Sequence, residues 1–127
     1  GSEPYPRPPG SLFRTVYRRL ERFPRAAVDL RIDGREDLDG GLVVIPSPGH
    51  TAGHLAVLVP DLGALLVGDA VWHLGPLRPS WRQVTADRPL NEASIRQLGS
   101  LPGVDRVYMG HGAPISGDRF RAFARDL

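Results

Sequence analysis

Histidine and aspartate side chains occur in three short segments of the sequence, each with glycine beside it. His50 and His54 lie in the segment PSPGHTAGH, Asp69 lies in VGDAVW, and His111 lies in MGHG. Imidazole and carboxylate groups are the natural zinc ligands of a protein without thiols, and this chain has no cysteine. The residue types therefore indicate metal chemistry, with His50, Asp69 and His111 as candidate ligands.

The spacing of His50 and His54 also matches the helical zinc motif HExxH. No glutamate follows His50, and Pro48, Gly49 and Gly53 all disfavour a helix at this place. The two histidines are therefore expected in a tight turn, and the helical zinc motif is rejected.

Apolar segments surround these motifs. They are short, rich in β-branched residues or leucine, and bounded by proline or glycine, which is typical of buried strands. They cover residues 41–45, 55–59, 64–68 and 106–109. The sequence predicts each candidate ligand just past the end of a strand, where glycine lets the backbone approach closely.

The ordered set PGHTAGH, GDAVW and GHG resembles the later motifs of the metallo-β-lactamase-fold superfamily. This family includes glyoxalase II-like thioesterases, lactonases and β-lactamases, and the resemblance runs from about residue 29 to residue 114. It implies that His50 binds one zinc ion and His111 a second. It also implies that Asp69 bridges the two ions at the catalytic centre, while His54 has a supporting role.

An earlier motif of that family, HxHxDH, is absent. No two of the four histidines are separated by a single residue, so the chain resembles the C-terminal half of such a hydrolase. The expected fold class is α/β: half of an αββα sandwich, with one mixed sheet and helices on one face. The other face would be a large apolar patch, which predicts a homodimer or a complex with a complementary N-terminal half.

The resemblance also predicts an incomplete metal site. His50 and His111 serve different zinc ions and share only Asp69, so each ion has two protein ligands, one short of a catalytic set. Intact relatives hold two zinc ions, whereas zinc binding by this chain is expected to be weak or absent unless another chain completes the site.

Two functions remain open at this point. In the first, the chain is the C-terminal half of a zinc-dependent hydrolase that cleaves ester, thioester or lactam bonds with a metal-bound hydroxide. It would then be inactive as an isolated monomer, and catalysis would need the HxHxDH half or a second chain. In the second, it is a non-catalytic, degenerate half-domain that serves as a self-association or protein-interaction module.

Four further side chains are candidates for the surroundings of the site. His54 is expected to brace the turn that carries His50. His73 either approaches the metal site or lies on a loop surface, and Trp72 and Arg78 either border a substrate pocket or serve in packing and at the surface. No GxSxG motif occurs, so a serine nucleophile is not supported.

Composition restricts the class of protein. The chain has 127 residues, 41% of them hydrophobic and 24% charged, which suits one globular domain. No apolar run approaches the length of a membrane span, no signal peptide is visible, and the absence of cysteine fits a cytoplasmic location. The formal net charge is only +2, so nucleic-acid binding through an arginine-rich helix is not expected.

The chain is expected to divide into two parts. Residues 1–10 combine a Gly-Ser remnant of cloning with a proline-rich extended segment, and residues 11–127 form a single half-domain. Within it the sequence predicts helices over 11–23, from Asp87 or Asn91 to Leu98, and after Ser116; strands over 28–33, 42–45, 55–60, 64–68 and 106–109; and a loop over 72–81.

Overall fold

The computed structural model describes residues 26–127 of the chain. This range forms seven strands and two α-helices, namely β1 (Glu36–Leu38), β2 (Leu42–Pro46), β3 (Leu55–Val59), β4 (Ala64–His73), β5 (Arg78–Pro79), α1 (Arg88–Gly99), β6 (Arg106–Gly112), β7 (Ile115–Ser116) and α2 (Gly117–Arg125). Neither of these helices is long and apolar enough to cross a membrane. The proline-rich segment 1–10 and the helix predicted over 11–23 lie outside the described residues.

All seven strands belong to one mixed sheet. The strand order is β1-β2-β3-β4-β6-β7, and β5 pairs with β4 beside this series. The first four strands form an antiparallel meander, whereas β6 runs parallel to β4. A parallel pair needs a long crossover connection, and α1 supplies it here. The predicted α/β class with one mixed sheet is confirmed.

Both helices pack on the same face of the sheet. Alternate residues of each strand point to that face, as the two-residue period of a strand requires. The buried core combines strand residues with residues of both helices: Val43, Ile45, Ala56, Leu58, Leu65, Val67, Ile95, Leu98, Val107, Phe120 and Ala124. Phe123 and Leu127 pack partly buried against this cluster.

The opposite face of the sheet is also apolar but is more exposed. Val44 lies opposite Val57, Val57 opposite Leu66, and Leu66 opposite Tyr108, so these four side chains form a row across four strands. Leu66 and Tyr108 are 43% and 42% exposed, and Leu55 beside them is 39% exposed. This face, hereafter the apolar face, is therefore exposed toward β4 and β6 and covered at Val44, which is 7% exposed. The uncovered patch predicted from the sequence is present only in part within residues 26–127.

The strand predicted over residues 28–33 is wrong. This segment has no regular structure, and Val28 is 69% exposed. The edge strand is β1, which pairs with β2 across the turn at 39–41. A tight turn fixes the register of the pair, so residues 36–38 take the edge position although residues 28–33 alternate more regularly.

The loop predicted over residues 72–81 is partly strand. β4 continues through His73 because its end pairs with the end of β6, and Arg78–Pro79 forms β5 against Trp72. β4 and β6 are therefore longer than predicted, and β5 lies within the segment that was predicted as a loop.

The two predicted helices that fall in the described range are confirmed. Asp87, and not Asn91, caps α1, because its carboxylate accepts a hydrogen bond from the amide of Leu90. Ser116 caps α2 in the same way through the amide of Arg119.

Candidate metal centre

Asp69 lies at an irregular point within β4. The pairing of β4 with β6 shifts register on both sides of Gly68, and it resumes further along the strand, opposite His111. The expectation that each ligand lies past a strand end is therefore wrong for Asp69 and His111, since both strands continue beyond them. It is correct for His50, which lies in the turn between β2 and β3.

The three candidate ligands meet at the Asp69 carboxylate. Nε2 of His50 lies 3.8 Å from Oδ2 of Asp69, and Nδ1 of His111 lies 2.7 Å from Oδ1. The side chains of His50, Asp69 and His111 are 14%, 35% and 50% exposed, so the cluster opens to solvent at His111. One carboxylate thus lies between two imidazoles, with one oxygen toward each.

Trp72 also binds this carboxylate. Its indole Nε1 donates a hydrogen bond of 3.1 Å to Oδ1 of Asp69. Its ring centroid lies 4.7 Å from that of His111 and 5.2 Å from that of Trp81. Of the two roles predicted for Trp72, the contact with Asp69 places it at the site, and its burial at 9% exposure shows that it also packs.

His54 connects the turn to the backbone of Asp69. The Asp69 amide donates a 3.2 Å hydrogen bond to Nε2 of His54, so Nδ1 carries the ring hydrogen and donates to Oγ of Ser47 at 2.8 Å. Burial lowers the pKa of His54 below its ordinary value, and the neighbouring His50 adds to this effect. Gly68 permits the approach: its φ is +51°, and a Cβ there would lie 3.0 Å from Nε2 of His54.

His50 faces Asp69 on one side and two hydroxyl groups on the other. Nδ1 of His50 lies 3.1 Å from Oγ of Ser80, and this oxygen lies 2.7 Å from Oγ1 of Thr85. Burial lowers the pKa of His50; Asp69 opposes the shift and His111 adds to it. His50 is therefore favoured in the neutral form, which is the form that binds metals.

α1 and the two residues that precede it hold the turn that carries His50. The amide of Asp87 donates to the carbonyl of Gly49 at 2.9 Å, and the amide of Ala86 donates to the carbonyl of His50 at 3.0 Å. Deeper in the helix, Ser94 Oγ donates to the carbonyl of Pro48 at 2.7 Å. The turn is thus fixed by three hydrogen bonds from the α1 segment.

Asn91 of α1 supports the other side of the site. It is fully buried, and its Nδ2 donates a 2.9 Å hydrogen bond to the carbonyl of Ala70, next to Asp69. The same helix therefore fixes both the His50 turn and the segment of β4 that carries Asp69.

His73 and Arg78 do not join the cluster. Nδ1 of His73 donates to the carbonyl of Ala113 at 2.8 Å, and its Nε2 lies 3.4 Å from the Arg119 guanidinium. Arg78 lies with Trp72 and Trp81 around an open cleft of about 560 Å³ beside the site. The structure thus places Arg78 at a cleft wall and His73 at the end of β4, in contact with Ala113 and Arg119.

The chemistry of these donors fits zinc, but in two incomplete sets. Imidazole nitrogen and carboxylate oxygen are common zinc ligands. Within residues 26–127, no group of three or more histidine, cysteine, aspartate or glutamate side chains is arranged around one metal position. His50 with Asp69, and Asp69 with His111, would each give two of the required ligands.

Sequence reasoning missed the small polar residues that support the histidines. Ser47, Ser80, Thr85, Asn91 and Ser94 are all buried, with exposures of 4% or less. No spacing marks them, because they are spread over the His50 turn, the segment after β5 and α1, and each meets its partner only through the fold. The sequence indicates them only by a hydroxyl or amide side chain at positions where the local pattern would accept an apolar residue.

Comparison with known proteins agrees with the architecture and the motif order. A model of the Metallo-beta-lactamase superfamily matches residues 1–111. The chain is 32% identical over 96 residues to a hydroxyacylglutathione hydrolase of Hyphomonas neptunium, which covers 73% of this chain and 36% of the relative. It is 39% identical over 83 residues to the Shewanella baltica enzyme of that name, covering 65% of this chain and 29% of the relative.

A solved structure shows the same arrangement of elements. A metallo-beta-lactamase family protein of Thermus thermophilus superposes with a TM-score of 0.62 and 32% identity, over 89% of this chain and 38% of that protein. The chain therefore spans about a third of the length of the relatives it matches. On its family-model match, its motif order and its fold, the chain belongs to the metallo-beta-lactamase superfamily.

Proposed function

We propose that the chain carries the C-terminal part of a zinc-dependent hydrolase that acts on ester, thioester or lactam bonds. The observation that supports this most strongly is the position of Asp69 between His50 and His111, with one carboxylate oxygen toward each imidazole. A carboxylate in this position can be shared by two metal ions. A purely structural ion pair between Asp69 and one histidine would not require a second imidazole on the same carboxylate.

His50 and Asp69 would hold one zinc ion, and Asp69 and His111 the other. When bound, zinc would supply a nucleophile at neutral pH and polarise a substrate carbonyl. The chain's own residues keep these ligands in place: the His54 imidazole holds the amide of Asp69, and Trp72 Nε1 holds its Oδ1. Each zinc ion would still lack ligands, so the chain alone binds zinc weakly and is inactive as a monomer.

The relatives suggest which bond to test first. Two of them are named hydroxyacylglutathione hydrolase, so a hydroxyacyl thioester of glutathione is the first substrate to try. The chain spans only about a third of those relatives, so the full activity depends on a polypeptide that supplies the HxHxDH motif.

The test is thioester hydrolysis by the chain, alone and combined with a polypeptide that carries HxHxDH, in the presence of Zn²⁺. We expect no turnover by the chain alone and turnover by the combination. Asp69→Asn should abolish that turnover, since it removes the carboxylate charge that both sites share. Equal turnover by the Asp69→Asn combination would contradict the proposal.

The second candidate function, an interaction module, is favoured by the apolar face. Its row of Val44, Val57, Leu66 and Tyr108 has the character of a surface covered by another layer. We propose that a complementary N-terminal half or a second copy of the chain covers it. This pairing is compatible with the hydrolase proposal, because the covering layer would also bring the missing ligands.

A further inference from the structure

Buried hydroxyl groups of Ser80 and Thr85 lie behind His50, on the side away from Asp69. Ser80 is 0% and Thr85 is 4% exposed. They connect the ring of His50 to the backbone carbonyls of Ser80 and Trp81, with no charged group in this chain of contacts.

The carbonyl oxygens at the end of this series of contacts fix the direction of its hydrogen bonds. Thr85 Oγ1 lies 2.8 Å from the carbonyl oxygen of Trp81 and 3.2 Å from that of Ser80. Neither carbonyl oxygen carries a hydrogen, so the hydrogen of the Thr85 hydroxyl must point to a carbonyl. If the Thr85 hydroxyl donated to Ser80 instead, Oγ1 of Thr85 and the carbonyl oxygen of Trp81 would lie 2.8 Å apart with no hydrogen between them.

The same reasoning extends to the imidazole. The contact of 2.7 Å between Thr85 Oγ1 and Ser80 Oγ needs a hydrogen, and only Ser80 still has one to give. The contact of 3.1 Å between Ser80 Oγ and His50 Nδ1 must then use the hydrogen of the imidazole. Nδ1 of His50 is therefore protonated, and in the neutral ring Nε2 carries a lone pair directed toward Asp69.

We infer that Ser80 and Thr85 are positioning residues that fix His50 as its Nδ1–H tautomer, with Nε2 available to a metal ion. The tautomer is a property of the chain itself; its relevance to zinc rests on the proposed function. A ligand histidine whose other nitrogen is held by a hydrogen bond keeps its ring orientation, and loss of such a partner typically weakens metal binding about 10- to 100-fold.

The critical variant is Thr85→Val, which keeps the shape of the side chain but removes its hydroxyl. The Ser80 hydroxyl then has no acceptor at position 85 and can donate to Nδ1 of His50. The hydrogen of the imidazole would move to Nε2, where it would point at Asp69. The matched control is Thr85→Ser, which retains a hydroxyl and should retain the wild-type tautomer.

Long-range proton–nitrogen NMR correlations of the ¹⁵N-labelled 127-residue chain near neutral pH report which ring nitrogen is protonated. We expect protonated Nδ1 at His50 in the wild type and in Thr85→Ser, and a shift toward protonated Nε2 in Thr85→Val. Ser80→Ala is a second test: it removes the hydroxyl that contacts Nδ1 of His50, so both tautomers should be populated. Protonated Nε2 in the wild type, or the wild-type ratio in both Thr85→Val and Ser80→Ala, would overturn the inference.

Titration of the same variants with Zn²⁺ separates this inference from the proposed function. We expect Thr85→Val to weaken Zn²⁺ binding by about tenfold or more relative to Thr85→Ser. Equal zinc affinities, despite a changed tautomer, would overturn the role in metal positioning. Failure of the wild type to bind zinc even when combined with the polypeptide that carries HxHxDH would count against the proposed function, while the NMR comparison would still decide the tautomer.

Discussion

At the scale of single residues, two imidazoles of the site, those of His50 and His54, are favoured in the neutral form. Burial lowers the pKa of both His50 and His54, and each ring has Nδ1 bound to a serine hydroxyl. A neutral imidazole is the form that offers a lone pair to a metal ion. The environment of the turn therefore selects the protonation state that the proposed function requires.

These lowered pKa values predict a stability that depends on pH. In the unfolded chain both histidines have higher pKa values, so the unfolded state binds more protons in the slightly acidic range. Stability contributed by His50 and His54 is then fully present above the ordinary histidine pKa and is lost as pH falls through the lowered values. We expect the free energy of unfolding, measured by urea denaturation, to decrease from about pH 7 to about pH 5.

His54→Gln is the control for this prediction. Glutamine can still accept the hydrogen bond from the Asp69 amide but does not titrate, so part of the pH dependence should disappear. A wild-type profile that is flat, or that rises as the pH is lowered, would contradict the assignment of both lowered pKa values.

The residue scale also shows what sequence reasoning could reach. The motif order predicted His50, Asp69 and His111 as one group, and the structure brings them together; their metal-binding role stays a prediction. The hydroxyls of Ser47 and Ser80 were not predicted, because their contacts with histidine depend on the path of β4 and on the turn before α1. The sequence shows which side chains can bind a metal ion or form hydrogen bonds. The hydrogen-bond partners that are distant in the sequence can be identified only when the path of the backbone is known.

At the scale of elements, the turn between β2 and β3 depends on its contact with α1. Gly49 has φ of +137°, and a Cβ there would collide with the backbone of Asn91. Gly53 lies in the same turn, but a Cβ there would meet nothing within 4 Å. The two glycines therefore form a matched pair for substitution.

We expect Gly49→Ala to destabilise the chain by more than about 2 kcal/mol, because a strained φ of this kind costs about 1–3 kcal/mol before the collision is added. Gly53→Ala should change stability by less than about 0.5 kcal/mol. Thermal or urea unfolding of both variants measures the difference. Similar losses for the two variants would show that α1 does not press against the turn at Gly49.

A second pair tests the hydrogen bond from α1 to the turn. Ser94 and Ser100 each donate a 2.7 Å hydrogen bond to a backbone carbonyl, but Ser94 is buried and Ser100 is exposed. Ser94→Ala should cost about 1 kcal/mol or more, since it leaves the Pro48 carbonyl without that donor. Ser100→Ala should cost less than half as much, and an equal cost would contradict the anchoring role of Ser94.

Element boundaries were harder to predict than element types. The helix after Asp87 and the helix after Ser116 follow from their caps, which are local. The extensions of β4 and β6 past Asp69 and His111 were not predicted, because they depend on pairing between strands that are far apart in the sequence. The failed strand at 28–33 has the same cause, since an alternating pattern forms a strand only where a neighbour is available.

At the scale of the whole molecule, the apolar face predicts self-association of the chain when nothing else covers it. Leu66→Glu places a charge in the middle of the face and should shift the chain toward monomer. Leu62→Glu is the control, because Leu62 is 73% exposed in the turn between β3 and β4 and lies outside the row of paired residues. Size-exclusion chromatography with light scattering measures both. A wild-type chain that is monomeric at micromolar concentration would contradict the prediction.

The function proposed for the whole molecule depends on Asp69 being shared by two metal positions. The most direct measurement is a Zn²⁺ titration of the chain followed by the ring nitrogens of His50, His111 and, as an internal control, His73. We predict that the His50 and His111 signals respond together, that His73 does not, and that Asp69→Asn removes both responses. Responses of His50 and His111 that survive Asp69→Asn, or a response confined to His73, would contradict the shared-carboxylate site.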